Sequence, residues 1–169
     1  GLAQYGHVDA SFDLLRRRFD HMLAPEHNGT LWEEWWLDGT GRNGNLDNRV
    51  TRSDAQTESA FMPALFAEFL LGLEPSQPGM TEITIALPQT KIKKIASVFP
   101  TPMGSINLKW DLNEKSKRVL QLQIPKGIKV ILEKDSFGMP KEGSIKVNGK
   151  KTSFQSIKAL RSGSWELIF

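Results

Sequence analysis

Three of the chain's five tryptophans stand within five residues, in the run Thr30-Leu31-Trp32-Glu33-Glu34-Trp35-Trp36. Indoles gathered around two carboxylates allow two readings. The chemical one is a sugar site: the C–H faces of a sugar ring stack on aromatic rings, and carboxylates bind hydroxyls or move protons. A carboxylate among indoles has its pKa raised by desolvation, as a general acid or base requires. The structural reading is a buried aromatic cluster with its glutamates turned to water. Spacing alone leaves both open.

A second polar cluster, Arg52-Ser53-Asp54-Ala55-Gln56-Thr57-Glu58-Ser59, precedes an apolar run. Such residues serve either as turn and cap chemistry or as a site. The stretch from Asp38 to Asn48 holds three Gly and three Asn and reads as a long loop. Asp38, Asn43, Asn45 and Asp47 carry oxygen ligands but lack the spacing of a calcium loop. His7, His21 and His27 form no ligand pattern. Asn28-Gly29-Thr30 matches a glycosylation sequon, a short pattern common by chance. With no cysteine, disulfides and thiolate ligands are excluded. No phosphate-cradling glycine loop or nucleophile motif appears, so neither a metal nor a cofactor is expected.

The elements that must hold these residues follow from periodicity. Val8, Phe12, Leu15, Phe19 and Met22 recur at spacings of four and three, the stripe of an amphipathic helix. Arg16, Arg17 and Arg18 fall mostly on its open side, and Pro25 lies just past its end. A second helix is predicted over roughly Phe61 to Leu71, with Pro63 in its first turn and Gly72 as its cap. Pro75, Pro78 and Gly79 make a connector.

Beyond Met80 the period becomes two. Ile83, Ile85 and Leu87 alternate with polar residues, and so do Ile106, Leu108 and Trp110. The same holds for Leu120, Leu122 and Ile124, and for Ile128, Val130 and Leu132. Asn148-Gly149 is a type I′ hairpin signal, and Trp165, Leu167 and Phe169 give a last alternation. Seven or eight such strands predict an antiparallel sandwich with Ile106 and Trp110 facing inward.

The charge divides at the same place. Of 19 acidic and 22 basic side chains, residues 1–75 carry 12 and 6, a net of −6, and residues 76–169 carry the remaining 7 and 16, a net of +9. Every lysine lies in the second part. Because the lysines alternate with apolar residues, they read as the solvated face of a sheet rather than a phosphate-binding surface. Neither nucleic acid nor a membrane is expected as a partner, since no run of about 18 apolar residues exists to form a membrane-spanning helix. Gly1-Leu2-Ala3-Gln4-Tyr5 has neither an initiator Met nor the regions of a signal peptide, and reads as a cut or processed end. Two helices and a long loop are too few to bury Phe12, Phe19, Phe61, Phe66 and Phe69. The helical part therefore reads as a piece of something larger.

These motifs, in this order, resemble the C-terminal region of glycoside hydrolase family 78, the α-L-rhamnosidases. Thr30-Leu31-Trp32-Glu33 with Trp35 is similar to that family's T-x-W-E-x-W segment. Arg52-Ser53-Asp54, the following helix, then Gly72-Leu73-Glu74-Pro75 and Pro78-Gly79 resemble the stretch after its catalytic loop. Ser97 to Trp110, with Thr101-Pro102 and Gly104-Ser105-Ile106, resembles its first sandwich strands, and Ile124-Pro125 and Asn148-Gly149 fall in place.

The resemblance implies an α+β chain: residues 1–75 as the last helices and loop of an (α/α)6 catalytic barrel, residues 80–169 as a C-terminal antiparallel β-sandwich. It implies inverting hydrolysis of terminal α-L-rhamnosides, with Glu33 as the general base and the general acid upstream of this chain. Trp32, Trp35, Asp54 and Gln56 become the substrate-binding residues, Gln56 standing where the family commonly has a histidine. The expected partners are a rhamnose-containing glycan or glycoside, the rest of the parent enzyme, and a second copy meeting exposed helix faces. The isolated chain is expected to be inactive. The competing functions are a non-catalytic carbohydrate-binding or structural β-sandwich and another (α/α)6 hydrolase or phosphorylase. Glycan binding by residues 80–169 alone would favour the first, and phosphate-dependent turnover the second.

Overall fold

The structure of the chain is a computed structural model, which describes residues 2–25, 31, 66–69, 71–87, 90–112, 118–137 and 143–169. The chain divides into two compact units, Gly1–Phe66 and Ala67–Phe169.

In the first unit a 3-10 turn over Leu2–Tyr5 leads through Gly6 into α1 (Val8–Met22). The stripe read from the sequence is the buried side of this helix. Val8 and Met22 are buried and Phe12, Leu15 and Phe19 half-buried, while Arg16 and Arg17 are exposed. The Phe12 and Phe66 rings lie 5.6 Å apart, inside the 4.5–7 Å range of attractive aromatic pairs. Arg16 and Asp20 pair at 3.6 Å one turn apart on the open side. Leu2, Tyr5, Leu14, Leu23 and Phe66 remain exposed. Of the second predicted helix, residues 66–69 and 71 are described and are helical.

The second unit is a β-sandwich. Its smaller sheet has the order β1 (Leu73–Pro75), β2 (Glu82–Ile85), β6 (Lys129–Leu132). The larger comprises β3 (Lys94–Thr101), β4 (Gly104–Leu112), β5 (Arg118–Ile124), β7 (Ser144–Val147), β8 (Lys150–Ser153) and β9 (Gly163–Ile168), in the order β3-β4-β5-β9-β7-β8. The inward residues of both sheets form one core: Leu73, Ile83, Ile85, Val130 and Leu132 from the small sheet, and Ile106, Leu108, Leu120, Leu122, Ile124, Ile145 and Leu167 from the large one. Each such side chain, removed from water, contributes about 1.5–3 kcal/mol before the entropy of ordering is subtracted. Ile106 faces inward as expected and is fully buried, and the half-buried Trp110 packs against the same core.

Four aromatic rings close one end. Phe137 stacks on Phe169 at 5.1 Å, Phe154 meets both edge-on at 5.4 and 5.2 Å, and Trp110 adds edge contacts at 6.4 and 6.0 Å. Arg118 ties this end together: its Nη1 donates to the Phe137 carbonyl at 2.6 Å, and its own carbonyl accepts from the Phe169 amide at 2.9 Å.

One expectation requires correction. The sandwich is not antiparallel throughout, because β2 and β6 pair in parallel, Glu82 opposite Lys129 through Ile85 opposite Leu132. Between them the chain crosses into the other sheet, builds β3, β4 and β5, and returns with the same direction. A long crossover of this kind is what a parallel pair requires. Period-two alternation states which residues face inward and carries no information on strand direction. As for the (α/α)6 barrel, the described helical residues are α1 and the turn ending at Leu71, far short of one.

Gly72 occupies the entry to the sandwich. Its φ is +53°, and a Cβ built there would lie 1.9 Å from the Ala86 carbonyl oxygen. The Gly72 carbonyl in turn accepts from the Ala86 amide at 3.0 Å, so two backbones meet where only glycine leaves room. At the other hairpin, Asn148 and Gly149 have φ of +47° and +80°, the both-positive pair of a type I′ turn.

Candidate functional site

Glu33, Trp32, Trp35, Asp54 and Gln56 all lie outside the described residues, as do the loop carboxylates Asp38 and Asp47 and the His27 side chain. His7 is exposed, and the described residues hold no group of three His, Cys, Asp or Glu able to bind a metal.

The motifs that carried the resemblance in the sandwich are structural devices. Thr101-Pro102-Met103-Gly104 is the β3–β4 turn, with Thr101 opposite Gly104. The Thr101 hydroxyl donates to the Gly104 carbonyl and accepts from the Met103 amide at 3.2 Å, which pins the turn. At the connector, the Ser76 hydroxyl donates to Glu82 Oε1 at 3.1 Å while Lys129 pairs with Oε2. The Lys129 ammonium, then Ser76, hold the Glu82 carboxyl below its ordinary pKa against the opposing effect of burial.

A concave surface does exist among the described residues, on the outward face of the large sheet. Register fixes it in rows. Val98, Asn107, Gln123 and Ser164 are opposite one another across β3, β4, β5 and β9. Next come Ala96, Lys109, Gln121 and Glu166. Then Lys94, Asp111, Val119 and Ile168 continue onto β7 and β8 as Lys146 and Lys151. Two depressions share Lys109 and Gln121. One, of about 310 Å³, is lined by Asn107, Gln123, Ser164 and Glu166, with Asn148 and Trp165 at its side. The other, of about 440 Å³, is lined by Lys94, Ala96, Asp111 and Val119.

Polar side chains across these rows hold one another. Asn107 Nδ2 donates to Gln123 Oε1 at 3.3 Å and Gln121 Nε2 to Glu166 Oε2 at 3.1 Å. Asn148 Nδ2 donates to the Ser164 carbonyl at 3.3 Å, and its Oδ1 accepts from the Glu166 amide at 2.7 Å, so the turn asparagine also fastens β7 to β9. Trp165 commits its Nε1–H to the Arg161 carbonyl at 2.7 Å. Lys94 lies 3.6 Å from Asp111 Oδ2, while Oδ1 of that carboxylate is buried with no hydrogen-bond partner among the described residues. Such an arrangement offers donors and acceptors in alternation, which suits hydroxyl-rich ligands. The signal for this face was present in the sequence as the polar half of each alternation, but only register joins the strands into a surface.

Comparison with known proteins places this geometry. Residues 72–137, from the glycine at the sandwich entry to Phe137, match the family described as the bacterial alpha-L-rhamnosidase C-terminal domain. A search of curated proteins finds no match. Among solved structures, 99% of the chain superposes on 18% of an alfa-L-rhamnosidase from Aspergillus terreus, with TM-score 0.65 and 23% identity. It covers 16% of the alpha-L-rhamnosidase of Streptomyces avermitilis complexed with L-rhamnose, with TM-score 0.67 and 16% identity. It also covers 19% of that of Dictyoglumus thermophilum, with TM-score 0.67 and 17% identity. The chain thus spans less than a fifth of each of these enzymes. The resemblance read from the sequence is borne out: this chain is similar to the C-terminal region of an α-L-rhamnosidase.

Proposed function

We propose that this chain is the C-terminal part of an inverting glycoside hydrolase acting on terminal α-L-rhamnosides, with Glu33 as its general base. The observation that carries the reading is the match of residues 72–137 to the rhamnosidase C-terminal domain. The likeness of nearly the whole chain in fold to three such enzymes supports it. The residues before β1 then supply the last helices and a loop of an (α/α)6 catalytic barrel, and β1 with residues 80–169 the sandwich that follows it.

In inverting hydrolysis one carboxylic acid protonates the leaving oxygen while a carboxylate on the opposite face takes a proton from the attacking water. The two carboxyls stand about 6.5–9.5 Å apart. Glu33 is the carboxylate, and the acid comes from a part of the enzyme upstream of this chain. Trp32 and Trp35 shape the sugar pocket by stacking, and Asp54 and Gln56 hydrogen-bond its hydroxyls. Gln56 offers an amide where the family commonly has an ionisable imidazole, so its contact does not change with pH. Adjacent residues point in different directions along a chain, so one of Glu33 and Glu34 can serve the sugar while the other meets solvent, and the family motif assigns that role to Glu33.

The test is Glu33→Gln against Glu34→Gln in the full enzyme that contains this chain, assayed on an aryl α-L-rhamnoside with and without azide. Glu33→Gln is expected to lower turnover about 10²–10⁴-fold, with azide restoring part of it. If Glu34→Gln is the damaging change, or if the 169-residue chain alone turns over substrate, the assignment is wrong.

A further inference from the structure

We propose that the outward face of the large sheet is a binding surface for an acidic glycan, a chain of sugars bearing carboxylates. This site is separate from Glu33 and goes beyond the hydrolase reading.

The face carries lysine charges without partners among the described residues. Lys94 is taken by Asp111 at 3.6 Å, and Glu166 accepts from the Gln121 amide. Among the described residues, Lys109, Lys146 and Lys151 have no ion pair or hydrogen bond on this surface. Lys146 and Lys151 stand directly opposite each other on β7 and β8, both exposed. Like charges in that relation are destabilising unless an anion lies between or over them. Lys109 stands where the two depressions meet. The face therefore has cationic points at its centre and along one side, and the four lysines of these rows, Lys94, Lys109, Lys146 and Lys151, outnumber their two carboxylates, Asp111 and Glu166.

Beside Lys109 are Asn107 on its own strand and Gln121 and Gln123 on the next; Asn107 and Gln123 pair with each other, while Gln121 donates to Glu166. An amide pair of this kind has an unused acceptor or donor on each member, and sugar hydroxyls both donate and accept. Strands about 4.8 Å apart place these groups at a repeat close to one pyranose unit. A glycan lying across the strands would set hydroxyls on the amides and carboxylates on the lysines.

The composition argues against the other polyanion. Proteins that bind single-stranded nucleic acid stack bases on aromatic side chains. The outward rows from Val98 to Ser164, Ala96 to Glu166 and Lys94 to Lys151 contain no aromatic ring, and Trp165 and Trp110, which border the two depressions, pack against the core.

The experiment is isothermal titration of the whole 169-residue chain with oligogalacturonate, with a dextran oligomer, and with oligoglutamate of the same charge as the oligogalacturonate. Oligogalacturonate is expected to bind at least about tenfold tighter than either of the others, and to weaken as salt is raised. Equal binding of oligoglutamate would reduce the face to a non-specific cation, and equal binding of dextran would remove the carboxylate from the recognition. Either result, or no binding of oligogalacturonate, overturns the proposal.

Lys109→Gln is expected to weaken binding about tenfold and Lys126→Gln, on the β5–β6 turn, to leave it unchanged. A footprint on the unmodified chain guards against a misfolded variant: oligogalacturonate is expected to protect Lys109 from acetylation and to leave Lys126 reactive, and the reverse pattern sinks the idea. Because the readout is binding and not turnover, failure here leaves the assignment of Glu33 where it stands.

Discussion

The two units treat their apolar residues differently. In the sandwich, two sheets present their inward rows to each other, and eleven large side chains, among them Phe137, Phe154 and Val130, are buried almost completely. In the helical unit, Val8 and Met22 are the buried apolar residues among those described, while Leu2, Tyr5, Leu14, Leu23 and Phe66 are 36–82% exposed. A sheet pair supplies two faces and can close a core alone. Among the described residues of the helical unit, α1 supplies one apolar face, and one helix face cannot close a core alone.

Three stability measurements break or sharpen that contrast. The largest expected effect is Phe154→Ala, which removes a fully buried ring from between Phe137 and Phe169 and is expected to cost about 3–5 kcal/mol in urea unfolding. Its counterpart, Leu14→Ala on the open side of α1, is expected to change stability by less than about 0.5 kcal/mol. Comparable losses for the two would mean that the helical unit is as closed as the sandwich.

Next is Gly72→Ala, expected to cost roughly 3 kcal/mol, since the added Cβ meets the Ala86 carbonyl oxygen and the backbone is held at positive φ. A change under about 1 kcal/mol, the ordinary effect of exchanging these residues, would show that β1 and β2 separate easily there.

The smallest effect concerns Glu82. Its carboxyl is held below its ordinary pKa by Lys129 and Ser76, so the folded state prefers it charged. That contribution is fully present above the ordinary glutamate pKa of about 4.3 and is lost as pH falls through the lowered value. Urea midpoints measured down through that window are expected to fall more steeply for the native chain than for Glu82→Gln. Parallel curves would mean that the ion pair adds nothing on balance.

Much of the sandwich was legible in the sequence because its cause is local. Alternation at Ile106, Leu108 and Trp110 or at Leu120, Leu122 and Ile124 places every second side chain on the core side, and the structure buries all of them but Trp110, which is half-buried. Asn148-Gly149 determined its own turn, because few residues accept positive φ. The stripe Val8, Phe12, Leu15, Phe19, Met22 determined α1 for the same kind of reason. The roles given to Trp32, Glu33, Trp35, Asp54 and Gln56 rest on the family resemblance, because their spacing alone left two readings open, and these residues lie outside the described ones.

The tertiary structure decided what depends on pairing between distant residues. The parallel union of β2 with β6 rests on a crossover through three strands of the opposite sheet, which no local pattern records. The second task of Asn148, fastening β9, appears only when Ser164 and Glu166 arrive beside it. The polar surface around Lys109 exists because register sets Lys109, Gln121 and Glu166 in one row. A shift of one residue on any of those strands would turn its row into the core, so burial of the apolar half fixes the position of the polar half.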